Sequence, residues 1–134
     1  MSATKHRASC SCGQLQATVV GDPVRVSMCH CLACQRRTGS TYGVQARFPR
    51  PQVEITGEAS EYVRYADEDA TERRFFFCPK CGSTVYYVTG GISDLVAIPV
   101  GAFADPEFRE PWVSVWESRR HRWVSVPPGA ERID

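Results

Sequence analysis

Seven cysteines fall into three short clusters, and this pattern constrains the fold more than any other feature of the chain. The clusters are Cys10-Ser11-Cys12-Gly13, Cys29-His30-Cys31-Leu32-Ala33-Cys34 and Cys78-Pro79-Lys80-Cys81-Gly82. In Cys-x-Cys on an extended segment both side chains point to one face, because strand side chains alternate with period two. Cys-x-x-Cys in a tight turn lets two sulfurs converge on one ion. Gly82 supplies a residue that tolerates positive φ just after the second sulfur, and Pro79 pre-sets φ in the same turn. The number is odd and no basic start leads into an apolar signal-type stretch. The chain therefore reads as cytoplasmic, where metal binding is favoured over a disulfide framework. Tetrahedral thiolate sites select zinc or iron, and the spacing lacks the usual iron–sulfur runs, so zinc is the expected metal.

Seven divides as four plus three. A closed structural zinc takes four ligands, and a catalytic zinc takes three and keeps one position open. Spacing alone allows two divisions. One joins Cys10 and Cys12 to Cys78 and Cys81 and leaves Cys29, Cys31 and Cys34 as a compact triad. The other joins Cys31 and Cys34 to Cys78 and Cys81, an ordinary two-knuckle ribbon, and scatters the remaining three.

Between the clusters the pattern is strand-like. Apolar alternation over Gln14–Val20 ends at Gly21-Asp22-Pro23, and Val24, Val26 and Met28 alternate into the second cluster. Strands are expected near 42–48, 53–57, 60–66, 73–78, 83–88, 94–98 and 112–117, punctuated by Gly and Pro. Leu32–Thr38 is expected to form a short helix ended by Gly39. No segment of helical length sustains a 3.6-residue period. The expected architecture is mainly β, in a single domain over 1–134, with flexible ends at 1–8 and 127–134. A chain of 134 residues buries only a modest core, so metal capture would add stability. Sixteen Lys and Arg against fifteen Asp and Glu leave a net charge of +1, which implies no bulk attraction to nucleic acid or anionic membrane. No apolar run is long enough to span a bilayer.

Other residues are weighed against this frame. His30 lies between two cysteines, and on an extended segment it points away from the metal-facing side, as a supporting group rather than a ligand. His6 and His121 could reach a site only through tertiary folding. Arg36 and Arg37 follow Cys34 and could offset thiolate charge or clamp a substrate carboxylate. Gln35, Thr38 and Ser40 are candidate polar pocket residues. Phe75, Phe76 and Phe77 read as a core strand, and Tyr86 and Tyr87 cannot both face one side of a strand. Trp112, Trp116 and Trp123 suit core and rim packing. Asp67-Glu68-Asp69 reads as an acidic turn. Arg119-Arg120-His121-Arg122-Trp123 reads as a basic face or the edge of a pocket for an anionic thiol.

The ordered signature Cys10-Ser11-Cys12-Gly13, then Cys29 through Ser40, then Phe77-Cys78-Pro79-Lys80-Cys81-Gly82-Ser83 resembles the glutathione-dependent formaldehyde-activating enzyme family, whose domain also occurs in centromere protein V. The resemblance spans roughly residues 8 to 120 on the three motifs. It implies a β-tent fold with Cys10, Cys12, Cys78 and Cys81 on a structural zinc and Cys29, Cys31 and Cys34 on a second, open zinc where chemistry occurs. It also implies a carbon–sulfur lyase of the S-(hydroxymethyl)glutathione synthase type, with glutathione or another small thiol and an aldehyde as partners. In that setting Arg36, Arg37 and Gln35 are the expected substrate contacts. The competing readings are a non-catalytic zinc-stabilised binding module, for which the basic segment speaks, and a redox or metal-buffer role for the triad.

Overall fold

Alternating apolar residues build most of the architecture. In the computed structural model, which describes residues 4–66, 71–90 and 92–134, eleven strands form two sheets with one α-helix. The strands are β1 (Lys5–Ser9), β2 (Gln16–Val20), β3 (Arg25–Cys29), β4 (Gly43–Pro49), β5 (Val53–Thr56), β6 (Ser60–Tyr65), β7 (Glu72–Phe77), β8 (Thr84–Thr89), β9 (Ile92–Pro99), β10 (Val113–Val115) and β11 (Glu131–Ile133). The helix α1 covers Leu32–Thr38. A small sheet runs β1-β2-β5, and a large one runs β11-β10-β3-β4-β9-β8-β7-β6. Pairing is antiparallel except where β10 lies parallel to β3 and β11. The fold is mainly β and agrees with the β-tent expectation.

The core lies between the sheets. Ala8, Leu15, Ala17 and Val19 from the small sheet and its first turn meet Val26, Ala46, Phe48, Val85, Val96 and Ile98 of the large one. Period-two alternation then sends the intervening residues of the large sheet to its other face. Cys29, Gly43, Gln45 and Arg47 share that face across the β3–β4 register, as do Tyr87 and Ala97 across β8–β9. A register shift between Phe76 and Phe77 leaves Val85 without a paired partner. Val85 turns into the core, whereas Tyr87 joins Phe75 on the opposite face. Phe76 stacks on Tyr86 at 4.6 Å, so the two tyrosines do face opposite ways.

Two strands lie near the ends of the described residues, where the sequence reading expects none. Lys5–Ser9 pairs with β2, Ala8 is fully buried, and His6 packs edge-on against Phe103 and Phe108. Five residues with mixed polarity hide only one core position, so alternation gives no usable signal there. Glu131–Ile133 adds a parallel edge strand to β10 although all three residues are exposed, because its pairing rests on backbone hydrogen bonds. Asp67-Glu68-Asp69 lies outside the described residues.

Gly57 adopts φ +97°, and a Cβ there would overlap the Gln14 carbonyl oxygen. Gly57→Ala combines that overlap with a left-handed backbone, and it should destabilise the protein by at least about 2 kcal/mol in urea unfolding.

Candidate metal centre and adjoining cavity

Two turns of similar geometry carry the first and third cysteine clusters. In the β1–β2 turn, Cys10 donates its N–H to Leu15 O at 3.0 Å, and Gly13, at φ +87°, donates to Cys10 O at 3.1 Å. In the β7–β8 turn, Cys78 donates to Ser83 O at 3.0 Å, and Gly82, at φ +82°, donates to Cys78 O at 2.8 Å. Positive φ at each glycine turns the local backbone so that N–H groups face sulfur. Leu15 N reaches Cys10 Sγ and Lys80 N reaches Cys78 Sγ, each at 3.3 Å. The turns meet through Ser11 and Ser83, whose hydroxyls lie 3.0 Å apart.

The four sulfurs of Cys10, Cys12, Cys78 and Cys81 lie within 4.8 Å of one another. Cys12 Sγ is 3.6 Å from both Cys10 Sγ and Cys78 Sγ. Sulfurs on a tetrahedral zinc at about 2.3 Å would be about 3.8 Å apart, so the cluster fits such an ion with little movement. Its environment favours thiolates at Cys78 and Cys81, while at Cys12 a backbone hydrogen bond from Gln14 is outweighed by hydrogen bonding to the neighbouring sulfurs and by burial, which push that thiol up to about 11. Backbone donation at Ser83 and Cys12 draws the Cys81 thiol down to about 5. Burial opposes ionisation of Cys78, yet donation from Gln14 and from backbone N–H groups holds it below the ordinary thiol range. Gln14 gives its amide to Cys78 Sγ at 3.0 Å and to Glu58 O at 2.8 Å, and accepts from Glu58 N at 2.9 Å. Sequence pattern does not mark Gln14, because its role exists only once residues 14, 58 and 78 meet.

The second cluster sits where β3 runs into α1. Cys29 ends β3, Cys31 is the helix N-cap and Cys34 lies in the first turn. Cys31 Sγ accepts from Cys34 N at 3.3 Å, so the sulfur serves as the capping acceptor. Gly39 closes the helix at φ 69° with its N–H on Gln35 O. The helix packs on β4 beside Gly43, where a Cβ would make ordinary contacts, 3.7 Å from Cys34 Cβ and 3.4 Å from Arg37 Nη2. The three sulfurs lie within 4.8 Å of one another, in a group separate from the other four. Donation from Cys29 and Cys34 holds the Cys31 thiol down to about 2, while the same sharing, with burial, pushes Cys29 far up. The triad thus gathers three sulfurs around one point, and it suits a cation that replaces their protons.

His30 is fully buried on the other side of this segment. Its Nε2 lies 2.9 Å from Ser114 Oγ, and Ser114 donates a short hydrogen bond to Glu117 Oε2. His30 N donates to Val115 O at 3.1 Å. These bonds tie the triad to β10, and the ring takes no part in the sulfur group. Gln35 also works as a tie. Its amide donates to His30 O at 2.9 Å and Arg119 O at 3.2 Å, and its Oε1 lies 3.0 Å from His121 Nε2. It does not line the cavities beside the triad. Thr38 bonds Cys34 O at 2.8 Å and accepts from Ser40 N at 3.1 Å, so both close the helix end.

A cavity of about 440 Å³ opens beside Cys29, Cys31 and Cys34. Phe75, Tyr87 and Trp116 supply aromatic walls, and Arg36 and Arg119 lie on it with three further arginines from the sheet. Burial raises the Tyr87 phenol well above its ordinary value, which keeps its hydroxyl protonated. Trp116 takes a left-handed backbone, φ 58°, uncommon for a bulky residue, and remains 37% exposed at the rim. A second cavity of about 530 Å³ adjoins Cys34, Arg36, Tyr62, Phe75 and Phe77. Arg37 borders it, with its guanidinium 5.3 Å from the Phe75 ring and 5.4 Å from the Tyr87 ring. Trp112 packs against the core beneath Arg109, and Trp123 is 70% exposed. In the basic segment, Arg119 reaches the cavity, whereas Arg120 turns back to Glu117 at 3.4 Å.

Burial raises the Glu117 carboxyl, but the Ser114 hydroxyl with Arg132, His30 and Arg120 brings it below its ordinary 4.5. A depressed folded pKa stabilises above the unfolded value, and that stabilisation is lost as pH falls through the folded one. Glu117→Gln should therefore be less stable than wild type at neutral pH, with the gap closing below about pH 4 in paired unfolding curves.

A sequence model of the glutathione-dependent formaldehyde-activating enzyme family matches residues 5–119. A Fusarium vanettenii protein named as a glutathione-dependent formaldehyde-activating enzyme is 29% identical over 82 residues, covering 61% of this chain and 43% of the relative. An uncharacterized lyase of Schizosaccharomyces pombe is 25% identical over 83 residues, covering 62% of this chain and 57% of the relative. The matches thus span about half the length of these curated relatives. A crystal structure of a Rhodobacter sphaeroides protein superposes with a TM-score of 0.57 at 16% identity, covering 75% of this chain and 91% of that one, and supports the fold alone. No helix among the described residues is long and apolar enough to cross a membrane.

Proposed function

The chain belongs to the glutathione-dependent formaldehyde-activating enzyme family, and from that premise we propose that it is a zinc-dependent carbon–sulfur lyase acting on a thiol–aldehyde adduct. The observation that carries this reading is the convergence of Cys29, Cys31 and Cys34 at the wall of a cavity large enough for a small ligand. Three protein ligands are the donor set of a catalytic zinc, and four are that of a structural one. In this reading Cys10, Cys12, Cys78 and Cys81 hold a structural zinc and the triad holds a second. Cys29, Cys31 and Cys34 would hold that ion, which when bound would supply the Lewis acidity that lowers the pKa of a substrate thiol.

The chain's own residues do the rest. Forward, the C–S bond forms, the carbonyl π pair moves to oxygen, and the proton lost from the thiol balances the one gained by that oxygen. Tyr87 Oη, kept protonated by burial, donates to the oxygen as negative charge develops. Phe75 and Trp116 exclude water, and the arginines, Arg36 among them, take the anionic part of the thiol. The reverse step breaks the same bond and returns the carbonyl. Reduced thiols of this kind suit a cytoplasmic setting.

Metal analysis should find two zinc ions per chain, falling to one in Cys29→Ser with the fold retained, while Cys78→Ser loses the fold. Magnetisation-exchange NMR between formaldehyde, a panel of small thiols that includes glutathione and mercaptosuccinate, and their adducts should show catalysis with at least one thiol by wild type and none by Cys29→Ser. Tyr87→Phe should keep both metals and slow the exchange roughly 10²-fold. A single zinc unaffected by Cys29→Ser would replace this reading with the zinc-stabilised binding module.

A further inference from the structure

Five arginines line the cavity beside the triad: Arg36 from α1, Arg47 from β4, Arg64 from β6, Arg73 from β7 and Arg119 from the turn after β10. Among the described residues, no Asp or Glu lines it with them. Arg74, next to Arg73 but on the other face of β7, pairs with Glu61 and Glu72 at 2.8 Å. Arg120 and Arg132 both pair with Glu117 at 3.4 Å. None of the five cavity arginines makes such a pair among the described residues, and Arg73 gives only one N–H to the Thr71 carbonyl, at 3.3 Å. With a net charge of +1 over the whole chain, the positive charge is segregated rather than abundant.

Gathering like charges around one concavity costs stability unless a ligand brings the opposite charge. Arginine is also the side chain suited to planar, two-point recognition of carboxylate or phosphate. Glutathione matches this lining poorly, because its two carboxylates come with an ammonium group. Among the described residues, the cavity offers that ammonium no carboxylate and several guanidinium groups.

We infer that this cavity selects a thiol, or thiol–aldehyde adduct, whose carboxylate or phosphate groups leave it with a net charge of at least two negative units. The inference rests on the proposed thiol–aldehyde reading and names its substrate class. Arg47, Arg64 and Arg73 are its main determinants, because strand pairing fixes their backbones on the cavity face of the large sheet.

Calorimetry with zinc-loaded protein tests this. The probes are mercaptosuccinate, 4′-phosphopantetheine, glutathione, cysteamine and 2-mercaptoethanol, with tricarballylate as a polyanion lacking a thiol. Mercaptosuccinate or phosphopantetheine should bind at least about 100-fold more tightly than 2-mercaptoethanol and more tightly than glutathione, with cysteamine weakest. A lead for the first assigns carboxylates and a lead for the second a phosphate, and either supports the inference. Arg64→Gln and Arg47→Gln should each weaken the favoured anionic thiol roughly tenfold. Arg64→Lys should recover part of that loss, and Arg74→Gln should cause none. Circular dichroism and melting curves establish that each variant is folded. Thiols binding with similar affinity whatever their charge, or cysteamine binding as well as mercaptosuccinate, would overturn the inference while leaving the proposed reaction intact. Tricarballylate binding that Arg64→Gln weakens, with no thiol engaging the triad, would support the anion site and remove the proposed reaction instead.

Discussion

The meeting of the β1–β2 turn with the β7–β8 turn is the contact on which the rest of the structure depends. Cys10 and Cys12 sit on the small sheet's turn and Cys78 and Cys81 on the large sheet's turn, so four converging sulfurs join layers that are distant in sequence. Buried positions between the sheets are mostly small or medium, Ala8, Ala17, Val19, Ala46 and Val85 among them. A core of that size supplies limited hydrophobic stabilisation. Gln14 extends the join to the turn before β6 through its paired bonds with Glu58. Strands β7 and β8 are thereby fixed relative to β1 and β2, and pairing through β9 sets them beside β4, so the cavity wall with Phe75, Arg73 and Tyr87 inherits that placement.

The second sulfur group is organised locally and then braced from behind. Cys29, Cys31 and Cys34 span only a strand end and one helical turn, so their convergence needs little tertiary help. Their orientation toward the cavity does need it. His30, Ser114 and Glu117 hold the reverse side to β10, and Gln35 links the helix to the turn carrying Arg119. A polar network buried behind a thiolate group fixes one geometry, because each broken bond leaves a desolvated partner. One face of the segment thus borders the cavity, and the other sets its angle.

Much of this was legible in the sequence, and the limits have physical causes. Cys-x-Cys and Cys-x-x-Cys carry their chemistry in local spacing, and Leu32–Thr38 with Gly39 marks the helix end to the residue. The choice between the two divisions of four needed the resemblance, because spacing says nothing about which turns meet. The strand at Lys5–Ser9 escaped notice because only Ala8 is fully buried, and Glu131–Ile133 because it buries none. Arg47, Arg64 and Arg73 look like ordinary solvated strand residues in sequence. Only pairing β4, β9, β8, β7 and β6 side by side shows that alternation sends all three to one face. Gln35 illustrates the converse, since a polar residue beside a ligand was a fair candidate for substrate contact, yet its amide is occupied by backbone carbonyls.

The central claim is that seven sulfurs divide into a closed set of four and an open set of three. Loading the protein with two equivalents of cobalt and recording its thiolate-to-metal absorption tests this directly. Addition of a simple thiol should strengthen the charge-transfer band of one cobalt and leave the other unchanged, with the responsive signal lost in Cys31→Ser. A spectrum that does not respond to thiol, or one in which both cobalt ions respond alike, would contradict the division.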